Sequence, residues 1–192
     1  MRKLTMADIK DLREYERERD AFRAEIIAAK KKRRIQLGDL MTVVFENAAT
    51  MRFQVQEMAR AERMLRDEQI AEEIETFNEL IPADGELSGT LFIEITDEGA
   101  LRYWLPRLAG IHDHVQIVVG DDAVRGRVDD PERLTRPGTT TTVHYLKFAF
   151  TPAQQAAFRT AAVRIVVDHP EYQADVSLTD EQRDEVVGDF AG

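Results

Sequence analysis

The chain has 192 residues, 43% apolar and 32% charged, with a formal net charge of -10 and no cysteine. That length holds one sizeable core, so a single domain over 1–192 is expected, helical over about 1–82 and β-rich over about 83–192. The missing sulfur excludes disulfides, thiolate nucleophiles and cysteine-ligated iron–sulfur clusters.

No apolar run approaches the ~20 residues needed to cross a bilayer. Met1 to Thr5 leads into charged sequence where a signal peptide needs an apolar stretch. A cytoplasmic protein without membrane contact is therefore expected. The charge is uneven: residues 1–34 carry 12 basic and 7 acidic groups, leaving the remainder at -15.

Thr5-Met6-Ala7-Asp8 resembles a capping box, and Ile9, Leu12, Phe22 and Ile26 recur at helical intervals. A helix over 5 to about 33 follows, with a break near Asp11 left open. It closes on Lys30 to Arg34, where cations oppose the negative end of the helix dipole. A solvated helix end is the favoured reading of that run, and nucleic-acid binding the least favoured, given the acidic remainder.

Ile35-Gln36-Leu37, Gly38-Asp39 and Met41 to Phe45 form a hairpin pattern. After Asn47 the period is ambiguous: Met51, Phe53 and Val55 alternate as a strand would, whereas Met51, Val55, Met58 and Leu65 follow helical spacing. A helix from about Arg52 is preferred because good helix formers dominate onward, and a short strand over 50–55 stays open. That stripe passes through Glu62, while Ile70, Ile74, Phe77 and Ile81 define a second one, so two helices meeting near Arg66 to Glu68 are expected before Pro82.

From Leu87 the texture is that of strands. Leu91, Ile93 and Ile95 alternate; a short helix spans Asp97 to Leu108; Val115, Ile117 and Val119 lead through Gly120-Asp121-Asp122 into Val124 to Val128. A loop with Pro131, Pro137 and Gly138 precedes a strand from Thr140 to Phe150, a helix opening on Thr151-Pro152, a strand from Val163 to Val167, a turn at His169-Pro170 and a last helix capped by Thr179. The fold class is α+β: amino-terminal helices, then a mainly antiparallel sheet of about five or six strands with short helices.

Phe45-Glu46-Asn47, Phe53 to Met58 with Arg60-Ala61-Glu62-Arg63, Leu80-Ile81-Pro82, Gly85-Glu86-Leu87, Thr90 to Ile95 and Val167-Asp168-His169-Pro170 resemble a bacterial family, domain of unknown function 3501. The resemblance spans roughly Leu4 to Phe190. The chain departs from the family pattern at Asp11, where proline is common, and at Asp84, where glycine-proline precedes Gly85. Members typically occur beside a rubrerythrin-like protein and an iron–sulfur oxidoreductase of the heterodisulfide-reductase type, which implies a shared redox pathway. The family supplies no catalytic residues to carry over.

Among chemical candidates, a ferritin-like di-iron site needs Glu-x-x-His pairs, and the residues three before His112, His114, His144 and His169 are Ala109, Ile111, Thr141 and Val166. No resident cofactor is expected. The alternative is a divalent metal on His112 and His114, which on a strand would share one face, with Asp121, Asp122 or a partner chain as third ligand; surface histidines are the simpler reading. His144 alternates with Leu146, Phe148 and Phe150 as a hydrogen-bonded core-edge histidine, and His169 caps its turn. Glu62 interrupts an apolar stripe, with Arg66, Arg60 and Arg63 as partners. Glu57 lies about 140° round the helix from Glu62, too far for a catalytic pair.

These readings give two functions: a non-catalytic accessory protein that meets redox partners through Glu57, Met58, Arg60, Glu62 and Arg63, or a small metal-binding protein or enzyme. A homo-oligomer is left open.

Overall fold

Thr5 and Asp8 close the first turn as a capping box, giving a single 3-10 turn over Met6–Asp8 in the computed structural model, which describes residues 1–130, 135–136 and 138–191. The helix does break at the expected place. Asp11 accepts from the backbone N–H of Arg13 and Glu14 and so starts α1, Leu12–Arg33. The buried side chain of Gln56 holds the break open, accepting from Lys10 N at 2.7 Å and donating to Lys10 O at 3.2 Å.

The expected hairpin forms: β1, Arg34–Leu37, pairs antiparallel with β2, Met41–Glu46. Gly38 turns it with φ +65, and a Cβ there would collide with the Tyr172 hydroxyl. Every residue of β2 is buried. Helix α2, Ala48–Ala61, begins four residues before the expected start because Asn47 accepts from Ala49 N and Thr50 N while Thr50 accepts from Asn47 N. The strand alternative over 50–55 is thereby corrected. Its alternation arises because Met51 and Val55 face the core while Phe53 meets Phe22 edge-on at 5.8 Å.

Helix α2 ends in a Schellman turn, with Met64 N donating to Ala59 O at 2.9 Å and Arg63 in the left-handed region at φ 52. Glu62 is thus an exposed C-cap outside the helix, and it does not interrupt a buried stripe. Helix α3, Asp67–Asn78, follows as expected, and Ile74 and Ile81 are buried against Leu4, Met51 and Val55.

The remaining elements complete two antiparallel four-stranded sheets. The first runs β1-β2-β3-β8, with β3 Glu86–Ile93 and β8 Val143–Ala149. The second runs β10-β9-β4-β5, with β4 Val115–Val119, β5 Asp122–Arg125, β9 Val163–His169 and β10 Tyr172–Ser177. A two-stranded ribbon of β6, Thr135–Arg136, and β7, Thr139–Thr140, precedes β8; Pro131 and Pro137 of the expected loop lie outside the described residues. The sheet is therefore richer than expected, and β10 is the strand that the sequence hid. Its inward residues, Tyr172, Ala174 and Val176, are only half-buried, and Gln173 and Asp175 are poor strand formers.

Inward residues of both sheets interdigitate in one core, among them Val43, Leu91, Ile117, Leu146 and Ile165. Two contacts stitch the sheets together at their rims. Arg127 and Lys147 exchange backbone hydrogen bonds of 2.9 Å, and the Tyr172 hydroxyl donates to Leu37 O while accepting from Leu40 N. Helices α4, Glu98–Arg107, α5, Pro152–Phe158, and α6, Asp180–Val187, cover the remainder. Phe150, Phe158 and Phe190 seal one end, with centroids 5.1–5.8 Å apart. The β1–β2 hairpin enters the first sheet, so the helical and β-rich halves interlock rather than following one another.

Candidate functional site

The end opposite the phenylalanines gathers all four histidines of the chain. Gly110, at φ +83, breaks away from α4 into a 3-10 turn over Ile111–His114. His112 and His114 were expected at a strand start, sharing a face. On a turn with about three residues per revolution, positions two apart point different ways. His112 is 3% exposed and stacks on His144 at 5.6 Å, whereas His114 is half-buried and meets His169 edge-on at 4.9 Å.

The tautomers of His144, His169 and His114 follow from their neighbours. His144 Nε2 lies 2.9 Å from Thr141 O, and a carbonyl only accepts, so Nε2 carries the proton and Nδ1 a lone pair. His169 donates from Nε2 to Ala109 O at 3.3 Å and accepts from Glu171 N on Nδ1 at 3.2 Å. It caps the turn as expected. His114 Nδ1 lies 3.0 Å from Asp168 Oδ1, and Arg125 braces that carboxylate at 3.3 Å. His112 Nε2 faces Asp113 at 3.6 Å.

Nδ1 of His112 and Nδ1 of His144 are buried without a hydrogen-bond partner among the described residues. Burial also pushes His144 down to about 4, with its hydrogen bond to Thr141 opposing. Asp121 and Asp122, the suggested third ligands, sit beyond the far end of β4 from these rings, about 15 Å away along a five-residue strand. The carboxylate beside the cluster is Asp168, which alternation along β9 turns away from Val167 and His169. Among the described residues no three histidine or carboxylate side chains come together as a metal site.

The second candidate region is the corner between α2 and α3. Glu57 is committed inward, accepting from the Tyr15 hydroxyl at 2.7 Å and from Arg19 through two contacts of 2.8 Å. The Arg19 hydrogen bonds hold its carboxyl down to about 2, with burial opposing and Tyr15 assisting, while burial and Glu57 push Tyr15 up. Arg60 pairs with Glu16 at 2.7 Å. Met58 is half-buried; Glu62 and Arg63 are exposed. Beside them Leu65 is 81% exposed, at the mouth of a groove of about 350 Å³ lined by Met6, Ile9, Leu12, Ala59, Met64 and Ile70 among others.

The basic run is not uniformly solvated. Arg33 is 1% exposed, donates to Phe45 O at 2.9 Å and pairs with Glu185 and Asp189. Lys32 pairs with Glu181, and Arg34 with Glu94.

No helix among the described residues is long and apolar enough to cross a membrane. The class these features define is an α+β protein of two stitched antiparallel sheets with a helical layer. The chain belongs to the family described as protein of unknown function (DUF3501), whose model matches residues 3–190. It is similar to a novel protein of unknown function from Burkholderia pseudomallei K96243, seen in a crystal structure, with 31% identity over 98% of this chain and 99% of that one and a TM-score of 0.90. No curated protein matches it.

Proposed function

We propose that the protein is an accessory factor that binds a protein partner through the α2–α3 corner, within a redox system containing rubrerythrin-like and iron–sulfur proteins. The observation that carries this is Leu65, a large apolar side chain 81% exposed beside an apolar groove. Glu62, Arg63, Arg66 and Asp67 surround it with charge of both signs, the pattern in which an apolar centre supplies affinity and a polar rim chooses partners. Glu57 and Arg60 contribute by fixing α2 on α1, so contact falls on Met58, Glu62, Arg63 and Leu65. The redox assignment rests on the family resemblance.

The test is co-purification from a native host, probing for those two partner classes. Recovery of either should fall about tenfold or more for Leu65→Asp, the loss of a centrally buried anchor, and should fall for Glu62→Lys. Recovery of neither class, or recovery indifferent to both variants, overturns the reading.

A further inference from the structure

We propose that two copies of the chain pair about a two-fold axis at the α2–α3 corner, the Leu65 of each entering the groove of the other. Met6 and Leu65 are among the few large apolar side chains left exposed among the described residues, and both line the same groove of about 350 Å³. Ile9, Leu12 and Ile70 continue its apolar wall, and each is only half-buried. An apolar knob beside an apolar socket buries both at once when it meets a surface built the same way. A two-fold interface supplies that surface, since it sets one patch against itself, so that each contact is made twice.

Charge makes the same selection. The chain carries -10 overall, yet the groove is lined by two cations, Lys10 and Arg13, and two anions, Asp11 and Asp67. That balance makes it a place where two like-charged chains meet with little repulsion. Lys10 is committed to Glu14 and Glu18, and Asp11 caps α1. Arg13 and Asp67 are exposed and make no ion pair within the chain among the described residues. Across the axis Arg13 of each copy faces Asp67 of the other, so the patch complements itself in charge as well as in shape. Leu65 serves both contacts, so a second copy and the redox partner exclude each other at this corner. Pairing is read on the isolated chain, so either proposal can fail while the other stands.

Sedimentation equilibrium of the full chain tests this. A particle of twice the 21.9 kDa chain mass should form as concentration rises. Leu65→Asp should weaken the pairing by about tenfold or more, the loss of a central anchor. Arg13→Asp alone and Asp67→Arg alone each set like charges opposite at both symmetric contacts, and each should weaken it by about tenfold or more. An equimolar mixture of those two variants should pair again, because both contacts then carry opposite charges, a recovery that misfolding would not give. A 21.9 kDa particle at every concentration, which leaves the groove to the redox partner or another chain, would overturn the proposal. So would pairing indifferent to Leu65→Asp, or a mixture that associates no better than its components.

Discussion

Helix α1 is held by charge at both ends, and the two locks differ in how much water reaches them. Near its start, Tyr15 and Arg19 grip Glu57 where the Arg19 and Glu57 side chains are 22% and 26% exposed. At its close, Arg33 is sealed between Phe45 O, Glu185 and Asp189, with Asn47 donating to the same aspartate at 3.2 Å. The half-exposed pair is screened and can be rehydrated when broken. The sealed one cannot, because removing one partner strands the other in a medium that solvates charge poorly. The first fastens one helix to another; the second joins α1, β2 and the carboxyl-terminal turn.

The largest expected effect is therefore at Arg33. Arg33→Ala should cost about 3–5 kcal/mol, the range for a broken buried pair, seen as an earlier urea midpoint. A cost below about 1 kcal/mol would erase the distinction between the locks. Glu57→Gln should cost about 1–2 kcal/mol, since it keeps a hydrogen-bond acceptor for Arg19 and loses the charge.

Acid titration sharpens the same contrast. Glu57 has a folded pKa held to about 2, below its ordinary 4.5. A carboxyl depressed by folding stabilises the fold fully above its unfolded pKa and loses that contribution as pH falls through the folded one. Stability should thus decline from pH 4.5 towards 2 more steeply in the parent than in Glu57→Gln, by about 1–2 kcal/mol in all after allowing for solvent screening. Parallel curves would show that the pair is too hydrated to matter. Smallest of all, Glu62→Lys should move stability by under about 0.5 kcal/mol in the isolated protein, because its carboxylate is exposed and makes no ion pair with a described residue.

Local chemistry made most of the fold legible. The Thr5, Thr151 and Thr179 caps, the Gly38 turn and the break at Asp11 are short-range devices, and each appears where its residues stand. The corner at Arg63 was not legible, since a left-handed residue is normally announced by glycine or asparagine and arginine gives no such sign. That is why helical spacing alone runs one turn too far, through Glu62. The burial of Arg33 was equally hidden, because five consecutive cations carry no phase to show which one turns inward. Period-two alternation placed His144 on the inward face of β8, but its meeting with His112 depends on two sheets packing together, which no single segment encodes.

The stitched rims have a consequence for how any second chain can engage this protein. A sheet whose outer strands stand free offers a row of unpaired amides for another strand to join. Here β8 already exchanges backbone hydrogen bonds with Arg127, and the β1–β2 turn is bonded to the Tyr172 side chain of β10. Extension of the ladders is discouraged on those sides, both as a mode of recognition and as a path to fibrous aggregation. A partner docking at the proposed α2–α3 corner would meet side chains of the helical layer, which a mutation can change without disturbing the sheets.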